Sequence, residues 1–359
     1  MLGSLLAEYI APKGKHALAA FLSVYLIGSS LCALASDPDT DTDPDTDTVI
    51  TFTFGGDCVL ASRHTYPPSY DTFDTYILTQ GYDWPFANLQ SIFTEDDMTS
   101  VNLECVLQDS EDGFYKKEYS FRGPAHYTQI LAQGSVEHVN IANNHTGDYH
   151  NTGFESTLTA LREAGIAFSG MRNLYIYEKE GIRIGLGGCR ETVYLEKPAT
   201  VQRDLRDLKD MGCDAIIYIY HFGNEYAPNH NKLQESMADY AVKNGADIVI
   251  GAHPHCVQGI DIRHGGLVLY SLGNLVFGGT LDMSTFDAIL ARLELKFTRQ
   301  KYAGVTLRIL PVLTSGSAPK NDFKPVLAEN EDYRRIIQLV QDDSTVNITE
   351  AIWIPSKGS

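Results

Sequence analysis

Two periods of apolar and polar positions alternate along this chain. Runs with strand character are Val49–Phe54, Met98–Leu103, the short apolar run that opens Val139–Asp148, Ile166–Ser169, Ile182–Leu186, Asp214–Tyr220, Ile248–Ile250 and Leu267–Tyr270. Stretches with helical spacing lie between them. Thr152–Gly165 is the strongest: Phe154, Leu158 and Leu161 stand at i, i+4 and i+7, and Gly165 is placed to end the helix. Further helices are expected over Phe86–Phe93, His126–Gln133 (stopped by Gly134), Leu233–Asn244 (stopped by Gly245) and Glu331–Gln341. Another is capped by Thr200, carries Val201, Leu205 and Leu208 on its apolar face, and ends at Gly212. Arg63–Tyr82, polar and aromatic with Pro67-Pro68, reads as a long surface loop, and Gly113–Arg122 as a loop or hairpin. Phe286–Phe297 and Tyr302–Leu310 alternate as an antiparallel pair. Strands alternating with helices, then β-rich material, predict an α/β domain. It would have a mixed sheet or two stacked sheets, with helices on the outer faces. A length of 359 residues suits one large domain or two of ordinary size. Residues 49–342 show no internal linker and are read as that domain, with 343–359 as a C-terminal tail.

The front of the chain reads differently. Lys13, Lys15 and His16 precede an apolar run from Ala17 to Leu34 that ends in Ala33-Leu34-Ala35. A basic stretch, an apolar stretch and an Ala-x-Ala site make residues 1–36 an export signal. The run is also about as long as the shortest membrane-spanning helices, so an uncleaved anchor is the alternative. Cys32 is a poor lipidation site, because the large Leu31 precedes it. Residues 37–48 read DPDTDTDPDTDT, with six Asp and no apolar side chain; this is a self-repelling spacer that can bury nothing. The protein is therefore expected outside the cytoplasm, secreted or membrane-anchored.

A net charge of −18 argues against nucleic acid and anionic membrane surfaces as partners. Beyond Cys32, the cysteines are Cys58, Cys105, Cys189, Cys213 and Cys256, an odd number without paired spacing. They read as small buried hydrophobes rather than a disulfide framework, with zinc ligation as the alternative.

The chemistry gathers where strands end. Asn143, Asn144 and His145 close the run from Val139, and desolvating three polar side chains there costs free energy unless they find partners. The same pattern recurs at Asp57 after Gly55-Gly56, at Glu104 after Asn102-Leu103, and at His221, His253, His255 and Asn274. Asn102 and Glu104 alternate with Leu103 and so share a face. Strand C-termini are where α/β sheets build sites. Carboxylate, carboxamide and imidazole together suit zinc, manganese or iron better than calcium, which takes oxygen alone. A carboxylate flanked by histidines is how two metals are held together for attack on phosphorus. His16, His126, His138 and His264 read as bystanders. Arg63, Arg122 and Arg190, in loops near these segments, are candidates to pair with carboxylate or phosphate.

Six segments in order carry a resemblance. Gly56-Asp57, Asn102-Leu103-Glu104, Ala142-Asn143-Asn144-His145, His221-Phe222-Gly223-Asn224-Glu225-Tyr226, Gly251-Ala252-His253-Pro254-His255 and Tyr270-Ser271-Leu272-Gly273-Asn274 resemble the CapA-like family of capsule and poly-γ-glutamate biosynthesis proteins, across Val49–Gly278. That family is similar in fold to the calcineurin-like metallophosphoesterases, which implies a four-layer α/β/β/α sandwich with a dinuclear site. Carried over, Asp57 is the first ligand, Glu104 the bridging carboxylate and Asn144 the carboxamide ligand. His221, His253 and His255 complete the metal shell. His145 is the general acid, and Asp148 its orienting partner. Asn102, Glu225, Asn274, Arg63 and Arg122 are the expected substrate contacts; Glu225 is also placed to orient a ligand or bind an amine. Metallophosphoesterases carry a histidine two residues after the first Asp, where this chain has Val59. The resemblance therefore implies one tight divalent metal and a second, weak or absent. The implied role is synthesis, export or anchoring of an anionic polymer such as poly-γ-glutamate, with membrane synthase or export subunits as partners. The protein would act as a metal-dependent hydrolase or transferase or, alternatively, as a non-catalytic polymer-binding subunit.

Overall fold

Alternation in the central strands sorts side chains onto opposite faces. In the buried strand Ala215–His221, Ile217 and Ile219 enter one apolar layer, while Ile216, Tyr218 and Tyr220 enter another. The same division holds along Ile248–Ala252 and Gly266–Leu269, where Ile248, Ile250, Leu267 and Leu269 oppose Val249 and Val268. A strand buried on both faces needs cover on both, and the fold supplies it.

The computed structural model describes residues 47–63, 65, 71–114 and 117–357. Residues 1–36, read as an export signal, and residues 37–46 of the acidic stretch lie outside these. Asp47 and Thr48, read as the end of that stretch, instead open the first strand, Asp47–Val59. Among the described residues no helix is long and apolar enough to cross a membrane.

Two sheets stack. The nine-stranded sheet runs Val326–Leu327, Lys301–Leu313, Asp287–Thr298, Asp47–Val59, Met98–Leu103, His138–Asn140 and Ala167–Ser169, with Asn274–Phe277 beside Asp47–Val59 and Ile352–Pro355 beside Lys301–Leu313. The six-stranded sheet runs Ile260–Arg263, Gly266–Leu269, Ile248–Ala252, Ala215–His221, Ile182–Arg190 and Tyr175–Lys179. Ile50, Phe52, Phe54, Leu293 and Leu295 of the first sheet meet Ile184, Leu186, Ile217 and Ile219 of the second, and the Phe52 ring meets Tyr177 edge-on at 5.0 Å. Helices Phe73–Gln80, Thr128–Gln133 and His150–Ala164 cover the outer face of the large sheet through Phe73, Ile130, Leu158 and Leu161. Helices Ala199–Asp210 and Lys232–Lys243 cover the small sheet through Val201, Leu205, Met237 and Ala241. The result is a four-layer α/β/β/α sandwich. Helix Asn330–Asp342 adds Ile336 and Val340 to the layer between the sheets.

Several local readings are corrected. Arg63–Tyr82 is not all loop: Thr72 caps a helix, Phe73–Gln80, with Phe73 and Ile77 as its two buried apolar side chains, too few to show a period. Phe86–Phe93 divides into a 3₁₀ turn, Trp84–Phe86, and a helical turn, Gln90–Phe93. Of the two readings of Gly113–Arg122 the loop stands, since its described residues form no hairpin; Arg122–Gly123 pairs in parallel with Val106–Leu107. Thr200 caps nothing, because the helix already begins at Ala199, behind a preceding helix, Glu191–Glu196. The domain does not end at residue 342. Asp343 accepts hydrogen bonds from Gly259 N (2.7 Å) and His230 N (3.0 Å), and Ile352–Pro355 adds an edge strand that buries Ile354. A four-residue strand set by a distant partner leaves almost no pattern of its own. Cys58, Cys105 and Cys189 are buried among apolar side chains, and the described cysteines are all free.

One bystander histidine sets an acid limit on stability. His138 is fully buried, its Nδ1 2.8 Å from Ser100 Oγ and its ring stacked on Tyr175 at 5.3 Å. Burial holds its pKa down to about 3, against an ordinary value of 6.5. The unfolded chain therefore takes the proton first. This contribution is intact above the ordinary value and is lost as pH falls toward 3, at up to about 1.4 kcal/mol per pH unit. His138→Asn is expected to lose stability more gently between about pH 6.5 and pH 4, as denaturant midpoints measured across that range will show. Parallel curves for the two proteins would refute the assignment.

Candidate metal centre

Strand ends from both sheets meet above the layer between them, and a local irregularity decides which way the first one points. Phe52 and Phe54 face the small sheet. Strict alternation would send Asp57 the other way. The pairing with Met98–Leu103 shifts register between Phe54 and Asp57, so the phase flips: Asp57 joins the site and Cys58 and Val59 enter the outer apolar cluster. Gly56 makes this turn fit. A Cβ there would lie 1.9 Å from the Gly273 carbonyl oxygen, which accepts from the Asp57 N–H at 2.9 Å.

Asp57 is fully buried. Its Oδ1 accepts from Asn102 Nδ2 at 2.7 Å, its Oδ2 from the His253 backbone N–H at 3.1 Å, and His255 Nδ1 lies 3.3 Å from Oδ2. Behind Asn102 stand Asn140, donating to its Oδ1 at 2.8 Å, and Asn143, donating to the Leu103 carbonyl at 2.8 Å. Asn102 is thus a buried strut that aims Asp57 and, at 3.2 Å, His221 Nδ1. The sequence reading expected a substrate contact here; the side chain is instead buried and does not line the cavity over this site.

Glu104 is fully buried, and neither carboxylate oxygen has a hydrogen-bond partner. Around it, His221 Nε2 lies at 3.3 Å and His145 Nε2 at 4.0 Å. Asn144 Oδ1 is 2.8 Å from the same His221 nitrogen. His253 Nδ1 is buried without a partner. His255 Nδ1 sits between Asp57 and Asn274 Oδ1, the latter at 2.9 Å; Asn274, expected as a substrate contact, is buried and orients this imidazole. Donor atoms of Glu104, His221 and His253 lie within 4.8 Å of one another, as do those of Asp57, Glu104 and His255.

The electrostatics are those of a site built for positive charge. Burial and the nearby Asp57 carboxylate push Glu104 up to about 8. Burial acts to raise Asp57 as well, but its contacts with His255 hold it down to about 2. Burial acts to lower His255, yet Glu104 and Asp57 lift it to about 10. Burial keeps His221 and His253 neutral, each down to about 3. A buried carboxylate with two orphaned oxygens and neutral imidazoles beside it matches the donor set of a divalent cation.

His145 stands at the edge of this cluster. Its Nδ1 is 2.8 Å from Asp148 Oδ2, which also accepts from the Phe121 N–H at 2.8 Å, and its ring lies against that of Phe121 at 4.4 Å. Lys117 ion-pairs with the other Asp148 oxygen and donates to the Asn144 carbonyl at 3.2 Å. A cavity of about 570 Å³ opens over the cluster, lined by Asn144, His145, His255, Glu225, Tyr226 and Lys117 among others.

The predicted arginines do not line this cavity. Arg63 donates to the Glu118 carbonyl at 3.1 Å and lies over the Tyr119 ring. Arg122 pairs with Glu111 and donates to the Gln108 carbonyl. Arg190 ends its strand and lines a separate cavity with Thr146 and His150. The sequence reading missed Lys117, Asn140, Phe121 and Tyr226. Asn140 had a signal, a polar residue inside the apolar run Val139–Ile141; Lys117, on a loop, had none.

Residues 51–279 match the family described as bacterial capsule synthesis protein PGA_cap. The chain belongs to this family. The capsule biosynthesis protein CapA of Bacillus anthracis is 26% identical over 323 residues, covering 82% of this chain and 74% of that protein. The PGA biosynthesis protein CapA of Bacillus subtilis (strain 168) is 27% identical over 242 residues, covering 60% of this chain and 62% of that protein. A hypothetical protein from Thermus thermophilus of known structure gives a TM-score of 0.45 at 16% identity, covering 73% of this chain and 99% of the other, a likeness too weak to carry an argument. The PGA_cap match spans every donor assembled above, from Asp57 to Asn274, and stops before the antiparallel pair that follows.

Proposed function

We propose that this PGA_cap protein is an exported, metal-dependent hydrolase or transferase that works on an anionic capsular polymer such as poly-γ-glutamate, or on its precursor. The observation that carries the reading is the His145–Asp148 pair beside Glu104. Structure alone has no use for a histidine held at Nδ1 by a carboxylate while its Nε2 faces a cluster of metal donors. Such a pair is how a proton is delivered to a leaving group.

Glu104, His221 and His253, with Asn144 beside them, would hold the tighter ion; Asp57, Glu104 and His255 would hold the weaker. Imidazole and oxygen donors together favour manganese, zinc or iron. A bound divalent ion supplies Lewis acidity toward a phosphoester or amide oxygen. The residues do the rest. Asp148 accepts from Nδ1 and so keeps Nε2 directed at the cluster. Lys117 anchors Asp148. Phe121 packs on the imidazole and keeps water from one of its faces. The basic and apolar opening of the sequence supports work outside the cytoplasm, anchored or secreted, with membrane synthase or export subunits as partners. Val59, fully buried where related enzymes carry an imidazole, favours a second reading, a polymer-binding subunit with a reduced site.

Metal content and turnover decide between them. The purified full chain is expected to carry a transition metal and to hydrolyse a bis-aryl phosphate, to lose turnover in chelator and to regain it with Mn²⁺. Metal retained without turnover would support the binding subunit. Turnover indifferent to chelator would remove the metal from the reading.

A further inference from the structure

We propose that Glu225 is a metal ligand, completing the half of the centre that Asp57, Glu104 and His255 leave one donor short. The proposal rests on the reading that this cluster holds metal. The first strand cannot supply the missing donor, because Val59 points into the outer apolar cluster. The other sheet can. A carboxylate oxygen of Glu225 and donor nitrogens of His253 and His255 all lie within 4.8 Å of one another. His255 belongs equally to the group it forms with Asp57 and Glu104. His253 is shared in the same way with Glu104 and His221, whose half already has Asn144 beside it; Glu225 and His255 both line the cavity while Asp57 is fully buried, so the short half is the one left to take this carboxylate from the cavity side.

The backbone holds it there. The Tyr226 N–H donates to the Pro254 carbonyl at 2.7 Å, tying the loop that carries Glu225 to the loop that carries both histidines. Gln258 Nε2 and Cys256 Sγ converge on the Ala227 carbonyl at 2.9 and 3.2 Å and tie it a second time. Three non-glycine residues in these two loops have positive φ: Tyr226 at 58°, His253 at 102° and His255 at 55°. Side chains disfavour that region, and it persists where surrounding bonds over-determine it. Here the strain gathers around the three side chains whose donors converge. Glu104, grouped with each of these histidines and fully buried with both oxygens unpartnered, is the independent sign that a cation belongs beside them.

The test is a titration of the chelator-stripped full chain with Mn²⁺ alone, followed by calorimetry and by electron paramagnetic resonance. The wild-type chain is expected to take two ions in two affinity classes, with the spectrum of a coupled pair at saturation. Glu225→Gln should keep the tight ion unchanged and weaken the second at least about tenfold, leaving the spectrum of an isolated ion. Glu225 is exposed, so this variant should fold; its circular dichroism will verify that. Glu118→Gln, removing another carboxylate that lines the cavity, should leave both ions in place. Two ions bound to Glu225→Gln with wild-type affinities would overturn the proposal and leave the metal centre standing, as expected if Glu225 instead receives a substrate amine. Equal losses in both variants would overturn it in favour of general cavity charge. One ion in the wild-type chain would overturn it because Glu225 then completes nothing. No ion at all would end both this proposal and the reading beneath it.

Discussion

His145→Ala is expected to lower turnover by about 10²–10⁴-fold while metal content stays at the wild-type level. The size follows from losing a positioned proton donor, and the selectivity from geometry. His145 Nε2 is 4.0 Å from Glu104, outside the close contacts that link Glu104 to His221 and Asp57 to His255, and His145 belongs to none of the three donor groups. Removing it should not open the metal site. Asp148 keeps the Phe121 N–H and Lys117 as partners, so the variant leaves no buried charge unpaired. The loss should fall on kcat and lessen for substrates whose leaving group needs no proton. Full turnover in the alanine variant, with metal present, would sink the enzymatic reading and leave the binding subunit. Loss of metal together with turnover would instead make His145 a ligand.

Glu104→Gln should move stability in opposite directions with and without metal. In the metal-free protein, Glu104 is a buried carboxyl whose pKa stands at about 8 against an ordinary 4.5. The folded state holds the proton more tightly than the unfolded chain does. Stability is therefore full below the ordinary value and declines as pH rises toward 8. A neutral amide removes that decline and is expected to stabilise the metal-free protein at pH 8 by at least about 1 kcal/mol. In the loaded protein the sign reverses. Glu104 is the one residue shared by both donor groups that hold the two proposed ions, so its loss weakens both. If affinity falls about a hundredfold under saturating metal, about 2.7 kcal/mol of ligand-derived stabilisation goes with it. Melting curves of the two proteins in chelator and in Mn²⁺ should cross. A variant less stable under both conditions would show that Glu104 is a structural group rather than a ligand.

Much of the architecture was legible because it is repetitive. Met98–Leu103 appears in the structure with the bounds its pattern shows, and Gly165 closes its helix in the left-handed conformation at φ 72°. Regular elements advertise themselves by period and by their stops. Phe73–Gln80, Glu191–Glu196 and Ile352–Pro355 did not, because each is one or two turns or a few residues long and is held by packing against distant chain. The donors were legible for a related reason: buried strands have little use for Asp, Glu and His, so each stands out against its apolar run. Which polar residues would line the cavity was less legible. Asn102, Arg63 and Arg122 look available in one dimension, yet in three they are spent on Asp57, Glu118 and Glu111.

The sequence by itself determined which residue types end the strands, and hence the chemistry open to this protein: carboxylates, carboxamides and imidazoles in one fixed order. It also determined the direction of His221. Alternation from Ile217 and Ile219 leaves it no other face. Only the tertiary structure decided that Asp57 meets it. Period alone points Asp57 outward, and the register shift at Gly55-Gly56, set by close approach to Gly273, turns it inward. Glu225 was settled the same way, since its place depends on a hydrogen bond from Tyr226 to Pro254 across two loops. Alternation is a local property and can be read along the chain. Register shifts and loop-to-loop ties depend on what lies across from a residue, and only the folded chain supplies that.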